Sequence, residues 1–431
     1  MFSTGLGDSG TGVGTRVPES AKPVENTSVP LLLILLCSGL ISPMLSARQT
    51  PQTPMFRSTV DLVAVDVQVV SRDGTPVSGL GIDDFQVTLN GHPRRLVSVD
   101  FIKKMTPLPA AAGGPELPIF TPGFLAAGSR VFVLAVDTNS FTTSNLPPAM
   151  AAAHHLLDLL DPDDLVALYE YPFSEPSLSL THDHRAVGRA LDRLIGQRDD
   201  FAGNFHLSVS EVIDITAHDA DTLARVIKRE CFPGDSTCGP AIQAEAGTQS
   251  SFYEGQATRS LKGLSLLLGG LTALPGRKTA VLMSGGLLAG DRVGGRPDLN
   301  GFMTKVGAEA GASNTNLYVL HVDDSFLDGF SAARPAQLDA GDRTRSAMRD
   351  GTALAAGLEL LAGSSGGALL RIQAGTGTHI YDRIMRESEA YYLLGVQPVK
   401  EDRDGALHFL NVKVHRRGVT VRSRTHVVIP K

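Results

Sequence analysis

The sequence predicts an α/β protein: a doubly wound, largely parallel sheet with antiparallel β segments flanking it. From Arg130 to about residue 390, short β-branched apolar runs alternate with stretches whose apolar residues recur at helical spacing. That alternation is the signature of a parallel sheet covered by helices. Ahead of it, residues 58–103 carry only strand and turn signals, and after it residues 391–431 do the same. At 431 residues, 42% of them hydrophobic and 19% charged, the chain is long enough for two or three domains.

The N-terminal region, residues 1–47, is read as an extension plus a signal or anchor segment. Val29 to Leu45 (VPLLLILLCSGLISPML) is a 17-residue apolar run broken by Gly39 and Pro43 and followed by Ser46 and Ala47. It has the form of a signal h-region with a small-residue cleavage site and is slightly short for a membrane span. The residues before it mix Asp8, Glu19 and Glu25 with Arg16 and Lys22. Either the true start lies further in, or the run is kept as a weak anchor. The expectation is export, to the periplasm, the envelope or the medium, with membrane contact only through an uncleaved segment. Of the three cysteines, Cys37 lies within the run. Cys231 and Cys238, in RECFPGDSTCGP, suit a loop disulfide in an exported chain; a zinc site would need two further soft ligands.

Residues 58–103 read as a small β domain. In VDLVAVDVQVV, Val63, Val65, Val67 and Val69 alternate with Ala64, Asp66 and Gln68, as in a half-buried strand. Two more strands meet at Asn90-Gly91, a hairpin signal. A Pro/Gly-rich linker spans 108–123. The α/β region, 128–390, begins with the strand 130–136 and the helix 146–160, whose Pro147 and Pro148 suit a first turn. A strand over 164–171 and a helix over 182–196 follow. Residues 197–250 read as an irregular polar insertion carrying a helix or two. The helix 257–274, strand 279–286, helix 301–311 and strand 316–323 come next, then a second insertion, the loop 325–350. A helix from Thr352, a short strand GALLRI and a last helix HIYDRIMRES complete the region. The C-terminal segment 391–431 reads as antiparallel strands that can pair with the first β domain, because both would otherwise expose edges.

Net charge is −6 and thinly spread. The richest basic stretch, HRRGVTVRSR (415–424), alternates like the solvated face of a strand, so no nucleic-acid partner is expected.

In order and spacing, VDLVAVDVQVVSRDGTPVSGLGIDDFQV, VFVLAVDTNSF, LPGRKTAVLMSGG, NLYVLHVDD and YYLLGVQPV resemble the von Willebrand factor A-related proteins of Acidobacteria, from about Val60 to the C-terminus. The resemblance implies an A-domain fold and a metal-ion-dependent adhesion site at the sheet's carboxyl edge. That site has the pattern Asp-x-Ser-x-Ser after the first strand, a distal Thr, and an Asp after a middle strand. Magnesium or manganese held there by oxygens can take a partner's carboxylate. Asp137 matches the first acid, Asn139 stands at the first Ser, and Phe141 stands at the second and cannot ligate. Gly285 occupies the place of the later Asp, and Thr181 is the candidate distal Thr. The resemblance thus implies a degenerate metal site of Asp137, Asn139 and Ser140, within a ligand-binding set of Asp137, Asn139, Ser140 and Ser284. Without a metal, Asp137 would order its loop or cap a helix.

Other motifs carry less. His154-His155 lack the rest of H-E-x-x-H, and His182-Asp183-His184 reads as a helix start. The Gly-rich stretch 285–295 lacks G-K-[ST], and Ser284 lacks the Gly of a nucleophile elbow, Leu282 standing there. Asp323 and Asp324 read as an acidic rim or solvated loop residues. The expected function is a non-enzymatic protein-interaction or adhesion module. The rivals are a hydrolase using the two insertions and a structural envelope protein without metal.

Overall fold

The computed structural model describes residues 62–103, 130–172, 178–199, 201–290, 297–325, 340–373 and 378–431. The apolar run at 29–45 and the linker at 108–123 lie outside them.

Six strands form the central sheet: β4 (Val131–Asp137), β5 (Leu165–Tyr171), β6 (Leu178–Thr181), β7 (Lys278–Ser284), β8 (Thr315–Asp323) and β9 (Ala368–Gln373). Their order is β6-β5-β4-β7-β8-β9, all parallel except the edge strand β6. Renumbered from β4, this is the 3-2-1-4-5-6 order of doubly wound sheets, and the winding reverses between β4 and β7. Nearly every residue of β4 and β7 is buried, as two covered faces require.

Alternate side chains face two helical layers. Phe132, Leu134 and Val136 pack with α1 (Leu146–Leu159), α2 (His184–Leu191) and α8 (Thr378–Glu387). Val131, Val133 and Ala135 pack with α5 (Cys238–Leu271), α6 (Asn300–Ala312) and α7 (Ala340–Ser365).

The insertion at 197–250 carries the helices expected of it and is more regular than its polar sequence suggests. It contains α3 (Val209–Thr216), α4 (Ala220–Glu230) and the first turns of α5, joined through a small core of Val212, Ile215, Val226, Ile242 and Ala246. Ser208 and Glu211 form a capping box at α3, and the Asp219 side chain caps α4. Cys231 and Cys238 are disulfide-bonded between α4 and α5. The loop expected over 325–350 ends earlier, because α7 begins at Ala340. The helix expected over 182–196 stops at Leu191, with Asp183 accepting from the Ala186 N–H at its start.

A seven-stranded antiparallel sheet, order β12-β1-β10-β3-β2-β11-β13, joins strands from both ends of the chain: β1 (Val63–Ser71), β2 (Phe85–Leu89) and β3 (His92–Lys103) with β10 (Ala390–Gln397), β11 (Leu407–Val414), β12 (Val419–Ser423) and β13 (His426–Val428). Asn90 and Gly91 both take positive φ in the tight turn between β2 and β3, as a primed hairpin turn demands. The alternating valines of β1 fill this sheet's core. The polar face of β1 is also covered: Asp66 accepts from Asn314 Nδ2 at 2.7 Å, and Gln68 binds Asn316 and the Glu387 carbonyl. Because Asn314 immediately precedes β8, this contact lies at the amino edge of the parallel sheet, opposite the tip of β4.

A candidate binding site at the carboxyl edge

Asp137 ends β4 and Ser284 ends β7, so the two flank the point where the winding reverses, the usual ligand position in open α/β sheets. Asp137 is 2% exposed. Ser260, on α5, donates to Asp137 Oδ1 at 2.8 Å, and Ser284 Oγ lies 3.4 Å from Oδ2. Burial pushes the Asp137 carboxyl up to about 7, with the Ser260 and Ser284 hydroxyls and the Asn139 N–H pulling the other way.

A single 3-10 turn, Thr138–Ser140, carries the chain away from the acid. Thr138 Oγ1 donates to the Tyr171 carbonyl at 3.2 Å, pinning the turn to β5. Ser140 Oγ donates to the Asp137 carbonyl at 2.7 Å and accepts the Gly285 N–H at 2.8 Å, linking the β4 and β7 loops. Asn139 Nδ2 reaches Ser260 Oγ and the Gln256 carbonyl, both at 3.3 Å. Beside these groups opens a cleft of about 160 Å³, with apolar walls that include Phe201, Leu287 and Leu354.

The structure therefore brings Asp137, Asn139, Ser140 and Ser284 together. Ser260 joins them without having been signalled by the sequence: it sits inside a helix among glycines and leucines, and only its position one helical layer above the β4 tip gives it a role. Thr181 does not join them. It pairs with Val166 near the start of β5, whereas Asp137 aligns with Tyr171 at the end, and its hydroxyl accepts the Asp183 N–H. The rim acids are not solvated loop residues throughout: Asp324 is buried and binds Asn145 Nδ2, while Asp323 accepts the Ser325 N–H at 3.1 Å. His154 pairs with Asp192 at 2.8 Å, and His184 Nε2 donates to the Asp164 carbonyl, so neither approaches the site.

A divalent cation suits these residues poorly. The cluster offers one carboxylate, whose oxygens already face two hydroxyl donors in a buried setting that favours its neutral form. Phe141 is fully buried in the core beneath the turn. At Gly285 a Cβ would come within 2.6 Å of the Ser140 carbonyl and 3.3 Å of the Phe141 ring, leaving no room for an acid there. Among the described residues, no group of three His, Cys, Asp or Glu side chains is placed to hold a metal.

No protein-family model matches the sequence, and no curated protein is similar to it. Among solved structures, the chain is similar to an aerotolerance-related membrane protein from Bacteroides fragilis carrying multiple mutations to serine, at 13% identity and TM-score 0.30, covering 60% of this chain and 98% of that one. It is also similar to the conserved hypothetical protein BatB from Bacteroides thetaiotaomicron, at 12% identity and TM-score 0.28, covering 61% and 99%. The SpRpn10 VWA domain is a third, at 7% identity and TM-score 0.27, covering 59% and 94%. The strand order and the two helical layers define a doubly wound α/β fold with an acid at its switch point.

Proposed function

We propose that this protein is an exported interaction module of the A-domain type, which binds a protein or envelope partner directly at the carboxyl edge of its parallel sheet. The observation that carries the reading is the cleft beside a buried acid at the point where the winding reverses. Export is supported by the apolar run at 29–45 and by the disulfide, which belongs to an oxidising compartment. No helix among the described residues is long and apolar enough to cross a membrane.

The adhesion site is degenerate, and binding does not pass through magnesium or manganese, because the cluster has one carboxylate and Gly285 has no room for a second. We read the cleft as binding rather than catalytic: the described residues lining it include no histidine, cysteine or lysine to work with its serines.

The test places a benzophenone side chain at Phe201, on the cleft wall, and for comparison at Phe409, which is half exposed on β11. In the native host, the Phe201 probe is expected to crosslink one discrete protein, with the same yield in chelator and a lower yield when Asn139→Leu is added. Equal crosslinking from both positions, or loss of the product in chelator, would overturn this function.

A further inference from the structure

The cleft has features that specify a ligand more closely than its place in the fold does. Asn139 is 3% exposed, and its Oδ1 has no hydrogen-bond partner. The amide cannot simply turn over. Its Nδ2 faces the Gln256 carbonyl, so exchanging the two ends would set oxygen against oxygen. Asn139 is thus a buried acceptor that lines the cleft and lacks a donor, an arrangement that costs stability until a donor fills it. Ser325 lines the same cleft, is 7% exposed, and its Oγ is likewise unpartnered.

Acids outnumber cations around these acceptors. Asp199 and Asp350 line the cleft with the buried Asp137, and the guanidinium among its lining residues, Arg198, is 3.9 Å from Asp324. The walls between are apolar. A volume of about 160 Å³ is ample for a four-carbon stem with a compact head group. Lysine is a compact point charge with three donors on a four-carbon stem. Its methylenes match Phe201, Leu287 and Leu354, and its donors match Asn139 Oδ1, Ser325 Oγ and a carboxylate.

We propose that this cleft receives a lysyl side chain of the protein partner, bound directly through Asn139 and the surrounding acids. The proposal rests on the interaction reading above and reverses the polarity of a metal-bridged site, in which the partner supplies an acid to a cation.

The experiment is a titration of the full chain with Nα-acetyl-lysine amide, followed by calorimetry. The comparison probes are the Nε-acetyl-lysine and norleucine analogues, and the glutamate analogue with and without millimolar magnesium. The free ammonium is expected to bind about tenfold or more tightly than the Nε-acetyl and norleucine probes, the difference a charge-assisted hydrogen bond makes. Asn139→Leu should abolish that preference. Because this variant changes a buried residue, Asp199→Lys at the exposed rim provides a second reading, and it should weaken the lysine probe several-fold with an unchanged melting temperature.

Equal binding of lysine and norleucine, or no binding of any amine, overturns the proposal. So does magnesium-dependent binding of glutamate. If crosslinking from Phe201 persists while the lysine probe fails, only this inference falls. If the lysine probe binds while crosslinking from Phe201 and Phe409 is equal, the interaction surface falls instead.

Discussion

Asp137 is held where its charged form is costly, and this gives the site a pH signature. Its carboxyl lies at about 7 in the fold, against roughly 3.9 in an unfolded chain. Between those values the folded state binds more protons than the unfolded one. The stabilisation is therefore complete below about pH 4 and is lost as pH rises toward 7. When protonated, Asp137 can donate to Ser284 Oγ, which in turn lies 3.3 Å from the Gly286 carbonyl. Asp137→Asn removes the titration and keeps the shape. Relative to wild type it should gain on the order of 2–4 kcal/mol at pH 8 and close to nothing at pH 4. Parallel urea melts at the two pH values check this; a variant equally destabilised at both would mean the acid is ionised and tightly partnered in the fold. The sequence made Asp137 legible, because a carboxylate ending an apolar strand is a local pattern. It could not reveal Ser260, more than a hundred residues away, or the closure at Gly285, which depends on how near the Ser140 carbonyl comes.

The two long helices show where hydropathy loses its power. In the first half of α5 the buried positions include Cys238, Ile242, Ala246, Gln249 and Ser250. Their spacing is helical, but Ala246, Gln249 and Ser250 are small or polar, so the periodicity is faint in the sequence. The start of α7 is similar: among the described side chains of TRSAMRD (344–350), Ala347 and Asp350 are buried, and the Asp350 carboxylate accepts the Ser210 N–H from α3 at 2.8 Å. Strands and strongly apolar helices were legible because each advertises its own burial, whereas these helices are buried by one another. The Cys231–Cys238 disulfide closes a short loop between α4 and α5, with a sequence separation of 7. A loop of that length restricts the unfolded chain by about 2–3 kcal/mol. Reduction should therefore loosen the small helical core beside the cleft before it affects the sheet. Hydrogen exchange should quicken in α3, α4 and the first turns of α5 while β4 and β7 stay protected. Uniform acceleration along the chain would show that this layer does not open separately.

Strands β1 to β3 and β10 to β13 are separated in sequence by the whole α/β region, yet they share one sheet, and a buried ionic cluster ties that sheet to α8 and β8. Glu387, at the end of α8, is fully buried. Its Oε1 accepts from Arg383 Nε at 2.8 Å, and its Oε2 accepts from Tyr318 on β8 at 2.8 Å and from Arg422 on β12. Its main-chain carbonyl takes Gln68 Nε2 of β1 at 2.7 Å. One residue thus joins α8, β8, β1 and β12, so the flanking strands and the α/β region are expected to unfold together. Nothing in the sequence singles out Glu387, since its partners lie up to 319 positions away. Glu387→Ala leaves Arg422 buried at 9% side-chain exposure without its carboxylate, and a broken pair of this kind costs about 3–5 kcal/mol. Much of that cost belongs to the orphaned guanidinium rather than to the attraction lost. Adding Arg422→Met to Glu387→Ala should then recover a large part of the stability, and a double-mutant cycle measured by denaturant melts reads the coupling directly. If the double variant is no more stable than Glu387→Ala alone, the cluster owes its weight to Tyr318 and Arg383. If either single variant splits the melt into two transitions, the two sheets are held together by this cluster and little else.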